Sequence, residues 1–232
     1  MRICFFLCVS LLFLNCEDKQ SKNKKTTQTT STKNKETDID SIKPKADESK
    51  KLNTKNAMYF FLEYDKHNKE NKVRMTTDFG SFDILLYEET KFHRSNFIFL
   101  TKQKYFNDTQ FYRVINNYIV QAGNSDEKKI AKKRAKIGKY LLPVDKKQGF
   151  KHVRGAISMP SSEIKNPHKL ASPYEFFIVQ KKDGAHFLDG DYTVFGKVIR
   201  GMDVIDKIAA VETDDGDWPN KNIYIRDVEI IE

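Results

Sequence analysis

The chain has 232 residues, with 41 Lys+Arg against 32 Asp+Glu and a formal net charge of +9. That length allows one domain of ordinary size plus extensions, and 31% charged against 39% hydrophobic residues means that at least one part is very polar. Such a surplus of cations would ordinarily point to nucleic acid, but the N-terminus argues against that partner by placing the chain outside the cytoplasm.

The first stretch, MRICFFLCVSLLFLNC, carries one basic residue, an apolar run of about a dozen, and then Cys16. The run has the length of an export signal and is too short to span a bilayer. EDKQSKNKK follows directly, so the polarity changes at the cysteine. This arrangement resembles a bacterial lipoprotein signal, which implies removal of residues 1–15, a lipid on Cys16 and a place on the periplasmic or cell-surface side of a membrane. Asn15 departs from the small residue usual at that position. An ordinary secretory signal with an accidental cysteine is the alternative. On the lipoprotein reading Cys4 and Cys8 leave with the signal and Cys16 becomes a thioether, so no thiol remains for a disulfide or a metal.

Residues 16–56 are that cysteine followed by Lys, Thr, Asn, Ser, Asp and Glu, with isolated Ile39, Ile42 and Leu52. So little apolar area cannot offset the entropy of ordering, and a disordered tether is expected. A coil of about 40 residues holds its ends roughly 30–40 Å apart. The folded domain is expected over 57–232. Strands are predicted near 58–64 and 72–77, a turn at Asp78-Phe79-Gly80, and a strand at 81–87. EETKFHRSNFIFLTKQKYF reads as a helix with Phe92, Phe99 and Leu100 in its stripe. Two strands follow in FYRVINNYIVQAGN around a turn at Asn116 and Asn117. The basic stretch KKIAKKRAKIGKYLLPVDKKQGF reads as a solvated loop. HVRGAISM, YEFFIVQKKDG and DYTVFGKV contribute strands, GMDVIDKIAAV a helix and NIYIRDVEII the closing strand. Many short strands with two helices argue a mainly β chain, closed or nearly closed and antiparallel, rather than a βαβ array.

Spacing sets several chemistries aside. The histidines at 67, 93, 152, 168 and 186 form no HExxH or other ligand pattern, so no metal is expected. No GxSxG elbow marks a nucleophilic serine, and GDYTVFGK has one residue too many for a phosphate loop. ETDDGDW does not fit an EF-hand loop, and its acids are expected to cap a solvated turn. What remains is Arg113 and Gln121, set among aromatics. Because side chains alternate along a strand, Phe111, Arg113 and Ile115 should share one face, and Ile119 and Gln121 a face of the next strand. Desolvating a guanidinium without a partner costs several kcal/mol. Arg113 therefore either reaches water or is kept beside an apolar surface for a purpose.

FYRVINNYIVQAGN is similar to the FHR-x5-F-x2-QGG signature of the cyclophilins, the peptidyl-prolyl cis-trans isomerases. The likeness continues in order through RGAISM, YEFFIV and FLDGDYTVFGKVIRGMDVIDKI, over about residues 73 to 232. It implies a closed eight-stranded antiparallel barrel capped by two helices. It also implies that Arg113 is the catalytic arginine and Gln121 the glutamine that supports it. Tyr118, Ile119, Phe177 and Leu188 would contact the proline substrate, with Phe187 in the place of a tryptophan found in many eukaryotic members and Tyr192 in that of a rim histidine. Four residues depart from the pattern. Tyr112 replaces the histidine beside the arginine, Ala122 the first glycine of QGG, and Glu175 the glutamine before the FF pair. Pro160, in SMPSSE, removes a backbone N–H near the groove.

The implied reaction is rotation about an X–Pro bond. That bond resists rotation by about 18–20 kcal/mol because planarity gives it double-bond character. At 90° the proline nitrogen regains a lone pair that can accept a hydrogen bond. A guanidinium beside the twisted bond can donate to it, while an apolar pocket grips the ring and excludes water. No nucleophile, metal or cofactor is needed. The expected protein is a membrane-tethered, monomeric isomerase acting on proline-containing peptides and unfolded exported proteins, without a nucleic-acid partner. The alternative is a cyclophilin-fold module that binds proline-containing peptides and catalyses weakly.

Overall fold

In a computed structural model of the chain, residues 50–161 and 166–232 are described. The signal segment, Cys16 and the tether as far as residue 49 lie outside them. The elements run β1 (Leu52–Asn53), α1 (Ala57–His67), β2 (Lys72–Thr77), β3 (Gly80–Leu86), α2 (Lys91–Lys102), β4 (Gln110–Ile115) and β5 (Ile119–Asn124). They continue with α3 (Lys128–Ile137), β6 (Gly138–Lys139), β7 (Ala156–Ser158), β8 (Phe176–Val179), a 3-10 turn at His186–Leu188, β9 (Val194–Arg200), α4 (Met202–Ala209) and β10 (Ile225–Ile230).

Eight strands form one antiparallel sheet in the order β10-β2-β3-β9-β7-β8-β5-β4. The sheet is mainly what the strand pattern predicts, but the barrel is open where a closed one was expected. Its edges, β4 and β10, touch at the Gln110–Tyr224 bridge, where Phe111 N donates to Ile223 O and Ile225 N to Thr109 O, each at 2.9 Å. Both edge strands carry register shifts, in β10 between Ile225 and Asp227 and in β4 between Gln110 and Arg113. A bulge bends its strand and interrupts the ladder, so the two edges diverge instead of pairing along their length.

Alternation sorts the central strands onto two faces. Val120, Ala122, Ile157, Phe176, Ile178 and Phe195 join the main core, which also takes in Phe97 of α2 and Ile205 of α4. Ile119, Ala156, Phe177, Val179 and Val194 form a second, smaller cluster on the other face, with Tyr118, Leu188 and Tyr192 packed against it. Strands covered on both faces read as nearly continuous apolar runs, which is why YEFFIV shows no clean alternation.

Two expectations are overturned by helices, making four α-helices among the described residues instead of two. The strand predicted at 58–64 is α1. Ala57, Phe60, Phe61 and Tyr64 lie at helical spacing and are all buried, but exposed Tyr59 and Leu62 fill the gaps and hide the period. The basic stretch read as a loop contains α3. Ala, Lys and Arg are strong helix formers, and Ile130 anchors the helix in the core at 1% exposure. Its cations on that side are half-buried and bonded to the protein. Lys133 Nζ donates to the carbonyls of Lys104 at 2.9 Å and Asn107 at 2.8 Å, and Arg134 donates to the Tyr105 hydroxyl at 2.9 Å.

Regular structure is also present ahead of residue 57. Leu52, 2% exposed, pairs in parallel with Gly138 through β1 and β6. Gly138 is required there. A Cβ would lie 1.9 Å from Leu52 O, and φ is +143°.

α1 is fastened to α2 by charge as well as by aromatic packing. Arg94 is 2% exposed and its Nη2 donates to Asp65 Oδ1, while its Nη1 donates to Lys69 O at 3.0 Å. Ser95 Oγ adds a bond to the same carboxylate at 3.2 Å and Lys69 Nζ one at 2.7 Å. Burial pushes the Asp65 carboxyl up, but the hydrogen bonds and charges of Lys69 and Arg94 outweigh it and hold the pKa below the ordinary value. The stability this contributes is present at neutral pH and is lost as pH falls through the lowered value. Asp65→Ala leaves a guanidinium buried without its counter-charge. It is expected to cost about 3–5 kcal/mol of unfolding free energy, read by urea denaturation at neutral pH.

Candidate active site

Strand register builds the site. Across β4, β5, β8 and β7, Arg113 stands opposite Gln121, Gln121 opposite Phe177, and Phe177 opposite Ser158. In β4, Phe111 faces Ala122 while Arg113 faces Gln121, so Tyr112 is an extra residue on that strand. The expectation that Phe111, Arg113 and Ile115 share a face is therefore corrected. The bulge reverses the alternation, sending Phe111 and Val114 into the main core and leaving Arg113 on the face of the second cluster.

A cavity of about 230 Å³ opens on that face. Arg113, Tyr118, Ile119, Gln121, Phe177, Leu188 and Tyr192 border it, together with Pro160 and Ser161. It is smaller than the ~300–1,000 Å³ of pockets that enclose a whole small molecule, which suits a single side chain. Phe187, the remaining predicted contact, does not border the cavity. It is 67% exposed and stacks on Tyr118 with ring centroids 5.5 Å apart, extending the apolar rim outward.

Arg113 reaches water at the rim and is paired. Its Nε donates to Asp217 Oδ2 at 3.2 Å, and its two Nη atoms make no hydrogen bond to a described residue. Asp217 is fixed in turn, because its carbonyl accepts from Val114 N at 2.8 Å. Asp214 Oδ1 accepts from Gly216 N and Trp218 N, each at 2.9 Å, so this loop is the capped turn expected of ETDDGDW. Its contact with Arg113 was not foreseen. Gln121 does not hydrogen-bond to Arg113. Its Nε2 donates to the hydroxyl of Tyr112, whose ring lies 5.8 Å from that of Trp218. Burial first, then the nearby Glu175 carboxylate, pushes the Tyr112 hydroxyl up, so it stays protonated.

Behind the cavity lies a polar support that the sequence reading missed. The buried His152 ring is parallel to Phe177 within 11°, with centroids 5.9 Å apart. Its Nδ1 donates to Asp189 Oδ1 at 2.8 Å, and its backbone N donates to the same oxygen at 2.8 Å. Ser158 Oγ lies 3.2 Å from Nε2 and 2.8 Å from Thr193 O. Burial lowers the His152 pKa against the pull of Asp189, which keeps the ring neutral. Burial also raises Asp189, but the His152 backbone and ring and the His186 ring bring it down to about 2. Phe177 is thus backed by an imidazole of fixed tautomer, and Leu188 is positioned by its neighbour Asp189. Asp189 sits inside the likeness block that begins FLDGD, and His152 lies two residues ahead of RGAISM. Pairing position 152 with 189 needs the fold.

Two of the departures fall away from the cavity. Ala122 is fully buried in the main core, and Glu175 lies 3.7 Å from Arg134. Pro160 borders the cavity, and its carbonyl accepts from Ser172 N at 2.8 Å.

Comparison with known proteins agrees with this architecture. Residues 72–230 match the family model described as cyclophilin type peptidyl-prolyl cis-trans isomerase/CLD. A peptidyl-prolyl cis-trans isomerase of Acinetobacter baylyi is 35% identical over 145 residues, covering 61% of this chain and 73% of its own. A peptidyl-prolyl cis-trans isomerase-like 2 protein of Rhizopus delemar is 34% identical over 169 residues, covering 72% of this chain but only 30% of that longer protein. The crystal structure of a Cryptosporidium parvum cyclophilin-type isomerase superposes with a TM-score of 0.59 at 25% identity, over 70% of this chain and 98% of the other. The same Cryptosporidium protein was solved in the presence of the dipeptide Ala-Pro, with a TM-score of 0.58 at 26% identity. The chain belongs to the cyclophilin-type peptidyl-prolyl cis-trans isomerase family.

Proposed function

We propose that the chain catalyses cis-trans rotation of X–Pro bonds in the cavity on the second face of its sheet. The observation that carries this is the Arg113–Gln121–Phe177 row across β4, β5 and β8. It brings one cation to the edge of a pocket whose floor is aromatic. The proline ring would sit against Phe177, with Ile119 and Leu188 excluding water from it. Asp217 holds Arg113 by Nε, which leaves the Nη donors for the amide nitrogen as it becomes pyramidal. Hydrogen bonds that form only at the twisted geometry lower the barrier, because they are stronger there than in the planar ground state. The Ala-Pro dipeptide in the related structure supports the ligand class.

The lipoprotein-like start of the sequence supports a finer reading. The chain is a membrane-anchored lipoprotein, lipidated on Cys16, that acts as a monomer on exported proteins still folding on the periplasmic or cell-surface side.

Arg113→Ala is expected to lower kcat/KM for a proline tetrapeptide by about 100- to 1,000-fold, the loss seen when one preorganised donor to a developing charge is removed. Its circular dichroism and melting curve should match the parent. Undiminished catalysis would leave a peptide-binding module as the better reading. Asp217→Asn should cost up to about five-fold at low salt, as an exposed ion pair does, and the deficit should vanish near 1 M salt, where screening acts within about 3 Å. Cys16→Ser should move the protein out of the membrane fraction or leave its signal uncleaved, as read by fractionation and intact mass.

A further inference from the structure

Helix α3 has two unlike faces. Ile130, Lys133 and Arg134 turn inward, and the two cations are bound to carbonyls, to Tyr105 and to the face of Tyr174, 4.8 Å from the guanidinium. Lys129 is paired with Glu127 at 3.0 Å and Asp108 at 3.4 Å. Lys128, Lys132 and Lys136 are exposed, and none ion-pairs with a described residue. At spacings of four they form one stripe along the helix. The residues flanking that stripe, Ala131 and Ala135, are small and exposed, so nothing bulky shields the ammonium groups.

The same face continues beyond the helix. Lys139 in β6 is exposed and without an ion partner among the described residues, and Lys51 is exposed beside it. Lys51, Ala131, Ala135 and Lys139 all border one groove of about 410 Å³. The adjacency is enforced by the pairing of Leu52 with Gly138 and Asn53 with Lys139. The chain that precedes the domain therefore enters it at the end of the lysine stripe.

We infer that this surface, Lys128, Lys132, Lys136, Lys139 and Lys51, docks the domain on the anionic phospholipid headgroups of the membrane that holds its N-terminus. Charge complementarity supplies the attraction. The preceding segment, read as a membrane tether, joins the domain at the end of this stripe, and a tethered domain meets the bilayer often enough for lysines within a Debye length of an anionic surface to be held there. Single-stranded nucleic acid is the less fitting polyanion, because the stripe presents no aromatic platform on which bases could stack. The inference goes beyond the isomerase reading and draws on the membrane-anchor reading for its surface. The cavity beside Arg113 contains none of these lysines.

The full chain, purified with its N-terminal segment and reconstituted in nanodiscs, tests this by lysine acylation and mass spectrometry. In discs containing phosphatidylglycerol at low salt, Lys128, Lys132, Lys136 and Lys139 are expected to react at least about five-fold more slowly than in phosphatidylcholine discs, since each lysine near an anionic surface is held with about that preference. The difference should collapse at ~0.5 M salt, while exposed Lys221 reacts equally in both. In K128E/K132E/K136E, Lys139 should lose its protection, with proline-peptide isomerisation unchanged. Equal acylation rates in the two lipids overturn the proposal. So does protection by added RNA or poly-glutamate with none from phosphatidylglycerol, which assigns the surface to a different partner. Absence of isomerase activity in both proteins would count against the function proposed above, and it leaves the footprint to be judged by itself.

Discussion

The extra residue in β4 decides what this domain presents to its surroundings. Without Tyr112 out of register, a strict two-residue alternation would put the guanidinium of Arg113 on the same side as Phe111. That side is a dry aromatic core, where an unpaired cation costs several kcal/mol. With the bulge, Phe111 and Val114 fill the core and Arg113 stands at the rim of the opposite face, opposite Gln121. The displaced tyrosine is also used, since its hydroxyl accepts from Gln121 and its ring lies near Trp218. One local irregularity thereby keeps the fold solvent-free inside and places a fixed cation outside.

The rest of the site depends on the sheet having two apolar faces of unequal size. The larger is closed by α1, α2 and α4. The smaller is covered by no α-helix among the described residues, and Phe177, Ile119 and Val194 would be wet but for Tyr118, Leu188 and Tyr192 at its margin. A half-covered cluster of this kind is suited to accept another apolar ring. Its rigidity comes from below, where His152, Asp189 and Ser158 form a polar network in a low-dielectric setting, which holds neighbouring side chains in one arrangement.

Much of this was legible in the residues. The strands of β2, β3, β5, β9 and β10 and the helices α2 and α4 follow from alternation and from helical spacing, β8 from its short apolar run, and seven of the eight assigned side chains do border one cavity. What was not legible has specific causes. α1 is apolar on positions that it does not bury, so a helix passed for a strand. α3 looked like solvated charge because a lysine that bonds carbonyls reads the same in sequence as one that faces water. The bulge at Tyr112 leaves no glycine or proline to mark it. The Arg113–Asp217 and His152–Asp189 contacts join positions that only the folded sheet brings together.

The two-residue pairing of β1 with β6 has a mechanical meaning. A load applied at Lys50 soon meets Leu52, held between the core and the backbone of Gly138. Behind it stands α1, bolted to α2 by the Asp65–Arg94 pair. Tension applied at Lys50 would thus be taken up at the α1, α2 and β6 end of the structure, in contacts that share no residue with Arg113, Gln121 or Phe177. The fold has a strain relief: a domain pulled at Lys50 can keep its pocket in shape.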